Sequence, residues 1–327
     1  MTMKAIICRE FGPPEKLQLE EITPPKPGAG QVLIEVEACG VNFPDTLIIQ
    51  GKYQFKPDFP FSPGGEVSGR VVEIGAGVTG FRPGDRVLAM TTWGGFAEMV
   101  AVDAVAVTHI PASMDYVTAA GLMITYGTSL HALKQRGRMQ PGENLLVFGA
   151  SGGVGLTAVQ IGKAMGARVI AAASSEDKLA FARENGADEV VNYSEVGWKD
   201  RVKALTGGNG ADVIYDPVGG DFFDQAMRCI NWQGRLLVVG FASGRIPQLP
   251  VNLTLVKGCD VVGVFWGAFV KRNVKENAEN NTQLFRWYEE GKIRPHIDQV
   301  YPLDRAVTAL QDILARKVQG KIVLKVR

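Results

Sequence analysis

Gly149, Gly152 and Gly155 recur at three-residue spacing directly after the apolar run Leu145-Leu146-Val147-Phe148. Glycine at such positions permits positive φ, lets backbone N–H groups approach a phosphate closely, and lets a helix pack tightly on the preceding strand. A helix that starts at this turn aims its free N–H groups at an anion. The pattern predicts a cradle for a dinucleotide pyrophosphate, with Gly149, Ser151, Gly152, Gly153, Val154 and Gly155 as its contacts, and so points to redox chemistry. A glycine-rich turn that serves packing alone is the competing reading. No Gly-Lys-Ser/Thr follows the turn, which disfavours a Walker-type nucleotide site.

The flanking residues favour the cradle. Val154, Ala158, Ile161 and Met165 form the 3.6-period stripe of a helix buried against a sheet, and Gly166 stands where a glycine C-cap is expected. A second apolar strand follows over 168–173, then a helix over 175–185 ended by Gly186. Proteins that bind NAD usually place Asp or Glu at the end of this second strand to hold the ribose 2′-hydroxyl. Here the strand runs into Ser174 and Ser175. Losing the carboxylate removes repulsion against a 2′-phosphate, and a helix start offers free N–H donors. The phosphorylated cofactor, NADP, is therefore favoured.

The elements that must position this turn can be traced along the chain. Residues 1–122 read as short β segments separated by glycine and proline, a barrel-like β region: 5–8, 32–38, 67–74, 86–90 and 96–102. From 123 to 265, strands near 145–148, 168–173, 189–192, 212–215, 235–239 and 260–265 alternate with helical segments. That alternation predicts an α/β doubly wound parallel sheet. The last sixty residues read as a long helix over 271–290, a strand at 299–302, a helix at 305–317 and a strand at 321–326. An economical arrangement returns residues 266–327 to the first domain.

At 327 residues there is room for about two domains. With 46% hydrophobic and 21% charged residues the composition is that of an ordinary globular protein and argues against disorder. Thirty-five basic residues against thirty-four acidic ones leave no footprint for nucleic acid or an anionic membrane, so a small-molecule substrate is expected. No apolar run approaches membrane-spanning length, and Met1-Thr2-Met3-Lys4 leads into a strand rather than a signal peptide, so a cytoplasmic location is expected. Cys8, Cys39, Cys229 and Cys259 are isolated and read as buried free thiols.

Several motifs in order carry a resemblance over nearly the whole chain: Cys39-Gly40-Val41-Asn42-Phe43-Pro44-Asp45, Pro63-Gly64-Gly65-Glu66-Val67-Ser68-Gly69, Gly84-Asp85-Arg86-Val87, the turn from Gly149 to Gly155, and Gly291-Lys292-Ile293-Arg294-Pro295. The chain resembles the zinc-independent quinone oxidoreductases of the medium-chain dehydrogenase/reductase superfamily. The resemblance implies a GroES-like β-barrel-type catalytic domain (1–122 and 266–327), a Rossmann domain (123–265), NADPH as cofactor and commonly a homodimer. In the zinc-dependent alcohol dehydrogenases of that superfamily a cysteine follows the first-loop Gly-Val and a histidine stands in Gly-His-Glu. Asn42 and Gly65 hold those positions here, and only Glu66 remains. Catalytic zinc needs three protein ligands, so no metal is expected. His109, His131 and His296 match no ligand spacing and read as surface or hydrogen-bonded core residues.

Without a Lewis acid, hydride transfer suits quinones or other conjugated enones, whose reduction gives a delocalised anion. Asn42 has an amide that can donate to substrate or to the nicotinamide carboxamide, or that satisfies its own loop. Tyr53 is a phenolic donor or a packing lid. Asp45 reads as structural, at the start of a helix-like stretch. The resemblance matches Thr125 to the nicotinamide end of the cofactor, where the alternative is a hydroxyl bonded to its own helical turn. It also matches Lys178 and Tyr193 to the 2′-phosphate, though Lys178 also reads as a solvated helix charge with Glu176 and Asp177 beside it. Gly240, Phe241 and Phe265 follow the fifth and sixth strands, where ligands gather, and Lys321 is a further candidate for cofactor phosphate. The expected function is an NADPH-dependent reductase of quinones or conjugated enones. An enoyl-thioester or alkenal reductase and a noncatalytic NADPH-binding protein are the alternatives. Residues 260–265 read as an outermost, apolar strand, which supports a dimer.

Overall fold

The computed structural model describes residues 2–327; Met1, the first residue of the leading segment considered above, lies outside the described residues. Two compact units are formed, residues 2–124 with 295–327, and residues 125–294.

In the first unit β1 (Met3–Ile7) and β2 (Gln18–Ile22) pair as an antiparallel ribbon. β3 (Gln31–Val41), β4 (Glu66–Ile74), β5 (Arg86–Met90), β6 (Met99–Asp103) and β7 (Val107–His109) follow, with α1 (Phe43–Ile48) after β3 and α2 (Tyr116–Ala120) after β7. β3 is the hub. Its first half pairs with β6 and residues 32–40 pair with β4, with register shifts at Leu33/Ile34 and Val36/Ala38. Such irregularities bend a strand and re-aim its side chains. The expected strand at 96–102 starts later, because the Phe96 N–H bonds the Pro63 carbonyl instead of joining a ladder.

The chain leaves this unit within α3 (Met123–Leu130), which continues as a π-helical turn over residues 131–136. In the second unit, strands and helices alternate: β8 (Asn144–Phe148), α4 (Gly153–Ala164), β9 (Arg168–Ala173), α5 (Glu176–Glu184), β10 (Glu189–Asn192), α6 (Trp198–Leu205), β11 (Ala211–Asp216), α7 (Asp221–Cys229), β12 (Ile230–Val238), α8 (Val251–Lys257) and β13 (Asp260–Gly263). The six strands are all parallel in the order β10-β9-β8-β11-β12-β13. This is the doubly wound order, with its switch point between β8 and β11. Leu146, Phe148, Ile170, Ala172, Ile214 and Leu236 are fully buried in the core, as near-continuous apolar strands covered on both faces require.

The long helix expected over 271–290 is α10 (Val274–Glu289), which starts slightly later because a separate short helix, α9 (Trp266–Arg272), precedes it and Asn273, with φ −127°, divides the two. Both belong to the second unit, so the chain rejoins the first unit at Pro295 and not at 266. The cause is local packing. Phe269 stacks on His131 with ring centroids 4.0 Å apart, and Lys134 Nζ donates to Asn280 and Gln283 at 3.0 and 2.9 Å. After Pro295 come β14 (Ile297–Pro302), α11 (Ala306–Leu314) and β15 (Lys321–Lys325). β15 pairs antiparallel with the end of β3 and parallel with β14, extending the sheet to the order β14-β15-β3-β4-β5-β7.

Glycines in the turn after β8 have separable reasons. Gly149 has φ +58°, and a Cβ at Gly155 would overlap the Gly149 carbonyl oxygen, so both serve the fold. Gly152 has φ −85° and its Cβ would meet only that same oxygen, at an ordinary 3.5 Å. Gly155→Ala should therefore cost about 1–3 kcal/mol of stability as overpacking. Gly152→Ala should stay within about 0.5 kcal/mol yet weaken dinucleotide binding, as read by urea unfolding and by cofactor titration. Equal stability losses would remove the distinction.

Candidate active site

The parallel register places the carboxyl ends of β8 to β13 along one edge of the six-stranded sheet. After β8, the Gly152 N–H closes the turn on the Gly149 carbonyl at 2.9 Å, and α4 begins at once. Ser129 on α3 bonds the Val154 carbonyl at 3.0 Å, and Thr157 on α4 donates to the Thr125 carbonyl at 3.1 Å, so α3 braces the start of α4. Thr125 itself is buried. The loop after β11 adjoins the cradle: a Cβ on Gly149 would lie 3.2 Å from Val218. Asp216, which sequence reasoning missed, shapes that loop by accepting the Val218 and Gly219 N–H groups at 2.9 and 2.8 Å. Burial raises its carboxyl above the ordinary range, against those two bonds. An acid closing a strand at the switch point is the signal that marks it.

At the end of β9, Ala173 pairs with Asn192 of β10, so Ser174 and Tyr193 stand side by side. The Tyr193 N–H bonds the Ala173 carbonyl at 3.1 Å, and the Ser194 hydroxyl bonds the Ser174 carbonyl at 3.2 Å. Lys178 is half-buried on the first turn of α5. Glu176, whose proximity troubles a phosphate site, accepts from Asn192 Nδ2 at 3.2 Å. The Tyr193 ring packs on Phe222 with centroids 4.3 Å apart. Gly240 and Phe241 follow β12 and adjoin the loop after β11, with a Gly240 Cβ 3.2 Å from the Pro217 oxygen and Phe241 3.0 Å from a Gly219 Cβ; Phe265 follows β13 and is exposed. No carboxylate closes β9. The edge thus fits a dinucleotide with a 2′-phosphate: a glycine turn leading into α4, a second helix start after β9, and a lysine on that helix's first turn.

A second constellation lies in the first unit, at the end of the sheet where β3 finishes and β4 and β15 begin. Gly40 pairs with Glu66, and Val41 with Ile322, so Asn42, Glu66 and Lys321 converge from three adjacent strands. The Lys321 ammonium donates to Glu66 Oε1 and to Asn42 Oδ1. Asn42 Nδ2 donates to Glu66 Oε1 at 3.0 Å and to the Gly40 carbonyl at 3.3 Å. Glu66 Oε2 accepts the Ile124 N–H at 2.8 Å. Asp45, buried on α1, accepts the Asn42 and Gly64 N–H groups at 2.7 and 3.3 Å. A Cβ at Gly40 would overlap Glu66 Oε1 and the Ala120 carbonyl, so glycine is required there by close approach.

Two sequence expectations change as a result. Both N–H groups of the Asn42 amide are engaged within the cluster, so Asn42 holds the site together and is not a free donor. Lys321 presents its charge to a carboxylate inside the sheet rather than to a cofactor phosphate, because antiparallel pairing with β3 carries it to Glu66. Tyr53 is half-buried, edge-on to Phe55 with centroids 5.9 Å apart, and burial followed by the Asp45 charge raises its phenol above the usual range. Cys39, beside the cluster, bonds the Glu66 carbonyl at 3.0 Å, and burial holds its thiol well above the ordinary range. The histidines serve elsewhere: His109 faces Asp85 at 3.1 Å, and His131 bonds Gln135 at 3.3 Å.

Residues 28–112 match the alcohol dehydrogenase GroES-like domain, and residues 153–283 match the family described as zinc-binding dehydrogenase. Quinone oxidoreductase-like protein 2 homolog of Nematostella vectensis is 42% identical over 331 residues, spanning 99% of this chain and 89% of the relative. Quinone oxidoreductase of Rattus norvegicus is 37% identical over 326 residues, spanning 98% and 97%. Among solved structures, Escherichia coli quinone oxidoreductase complexed with NADPH is similar with a TM-score of 0.91 at 30% identity over 99% of both chains. The chain belongs to the quinone oxidoreductase family of the medium-chain dehydrogenase/reductase superfamily.

The description zinc-binding dehydrogenase implies a metal, and the donors present do not fit one. Zinc is held by Cys, His or carboxylate groups, whereas Asn42 and Gly65 offer an amide and no side chain, and Glu66 is already engaged by an ammonium. Among the described residues no group of three or more His, Cys, Asp or Glu side chains could hold a metal ion.

Burial pushes the Asp45 carboxyl up to about 7, against the pull of the Asn42 N–H and the Lys321 charge and with the Glu66 charge adding to the rise. A carboxyl held above its unfolded value, about 3.9, binds its proton more tightly when folded. Its contribution to stability is full below that unfolded value and is lost as pH rises to about 7. Urea midpoints of wild type and Asp45→Asn, compared between those two limits, should therefore show the wild type losing ground with rising pH. Parallel curves would mean that Asp45 is ionised throughout.

Proposed function

We propose that this protein is an NADPH-dependent reductase that transfers hydride to quinones or other conjugated enones without a metal. The observation that carries this reading is the carboxyl edge of the six-stranded sheet, where a glycine cradle is flanked by Ser174, Lys178 and Tyr193 with no acid closing β9. Bound NADPH supplies a hydride from its nicotinamide ring. Gly149, Ser151, Gly152, Gly153, Val154 and Gly155 hold the pyrophosphate through backbone N–H groups at the start of α4. Ser174, Lys178 and Tyr193 hold the 2′-phosphate, the lysine as a point charge. Thr125, Gly240, Phe241 and Phe265 border the nicotinamide end. The NADPH complex of the Escherichia coli relative supports the cofactor assignment.

Reducing a quinone to a hydroquinone adds two electrons and two hydrogens, one as hydride and one as a proton to oxygen. Tyr53 is the donor we assign for that proton: its phenol O–H can donate, and water can return the proton afterwards. A conjugated acceptor spreads the developing charge, which suits a site that has hydrogen-bond donors and no Lewis acid.

We also infer a homodimer through the open edge of the six-stranded sheet. β13 is its last strand, and Val251 and Leu255 on the adjacent α8 are 69% and 81% exposed. Such an edge is usually covered or paired. A monomeric mass by light scattering at micromolar protein would overturn this. The four buried, unpaired cysteines suit a reducing compartment, which supports the cytoplasm.

Steady NADPH oxidation with 9,10-phenanthrenequinone or 1,4-benzoquinone, compared with crotonyl-CoA and acrolein, tests the function. Quinone turnover is expected. Preference for crotonyl-CoA or acrolein would make the enzyme an enoyl-thioester or alkenal reductase, and tight NADPH binding with no turnover would make it a noncatalytic binding protein. In the same assay Lys178→Ala should raise KM for NADPH far more than for NADH.

A further inference from the structure

The cluster around Glu66 has an unusual charge arrangement. The side chains of Lys321 and Glu66 are only 6% and 2% exposed, and the two residues lie 255 positions apart. Burying a carboxylate without a counter-charge is strongly unfavourable, and burying an ammonium equally so. The sheet supplies each with the other. The Lys321 N–H bonds the His296 carbonyl at 3.0 Å, which fixes where β15 starts, and antiparallel pairing of Ile322 with Val41 then brings the ammonium alongside Asn42.

The contacts also orient an amide. Asn42 Oδ1 accepts from Lys321 while its Nδ2 donates to Glu66 and Gly40. Were the amide reversed, two donors would face the ammonium and an acceptor would face a carboxylate. The charge therefore selects one of the two amide orientations, and with it the polarity of the loop that leads into α1.

We propose that the Lys321 ammonium is the resident cation of this loop: a positioning residue that neutralises Glu66 and locks the Asn42 amide, filling with a side chain the electrostatic role for which the zinc dehydrogenases of the superfamily use a metal ion. The proposal rests on the reductase reading only where turnover is measured. Its charge also bears on Asp45, which faces Lys321, Glu66, Tyr53 and Cys39 and is held lower by the ammonium than it would otherwise be.

The test is a double-mutant cycle on the full chain with Lys321→Met, Glu66→Gln and the pair together, read by Tm, with Lys321→Arg as the conservative variant. Lys321→Met should lower Tm sharply, the double variant should regain most of the loss, and Lys321→Arg should retain most of the wild-type value. If Lys321→Met does not fold, a double variant that does fold supports the coupling, and a double variant that also fails to fold overturns the proposal. The readout that a packing role would not move is the titration of Asp45, followed by NMR of ¹³C-carboxyl aspartate. It should shift upward by about one pH unit in Lys321→Met, as expected for loss of a nearby opposite charge, and return in Lys321→Arg. Additive Tm losses with no shift at Asp45 would overturn the proposal, as would stoichiometric zinc in wild-type protein purified without chelators. Absence of acceptor turnover by the wild type would overturn the reductase reading and leave these stability and NMR outcomes standing.

Discussion

A carboxylate at the head of an interior strand is the constraint around which the first unit is arranged. Glu66 sits where β4 leaves the loop after Pro63, flanked by β3 and β5 and fully buried. Water does not reach it, so its charge must be met by the chain. Three consequences follow in the structure: Gly40 has no side chain because Glu66 occupies the space, the Ile124 N–H turns toward Glu66 as α3 begins, and the last strand delivers Lys321. The C-terminal segment therefore completes a polar site and does more than cover an edge.

The second unit is governed by a different requirement. Because six strands run parallel, one edge of the sheet collects every loop that follows a strand, whatever those loops contain. The glycine turn after β8, the serines after β9, Tyr193 after β10, Asp216 closing β11, and the aromatic residues after β12 and β13 are neighbours for that reason. Polar groups are then held by small local bonds: Asp216 caps two N–H groups of its own loop, and Asn192 donates to Glu176 at the start of α5. Under the proposed reading, an anion at this edge would be met by backbone N–H groups and the start of α4, which asks for few charged side chains.

Much of this was legible in the residues. Alternation of apolar strands with helical segments gave the sheet of the second unit, since buried parallel strands must be apolar along their whole length; β9 and β10 were placed at their observed limits. The serines in place of an acid closing β9, and the amide and glycine at Asn42 and Gly65, were visible as residue types. Boundaries failed where a single residue overrides a periodic pattern. Asn273 breaks an otherwise helical run, and α9 and α10 stay with the second unit because His131 and Lys134 bind them there. Short elements such as β2 and β7 were missed because their few residues carry too little periodicity.

The sequence by itself determined the cradle and its charge character, because glycine spacing and a missing carboxylate act through the backbone of one contiguous segment. It also determined that the ligand set for zinc is incomplete. Only the tertiary structure decided what stands in that place. Asn42, Glu66 and Lys321 are brought together by strand register, and register depends on pairing between segments 24 to 279 positions apart. Nothing local to Lys321 distinguishes a buried counter-ion from a surface lysine, and that difference is settled by the antiparallel pairing of the last strand with β3.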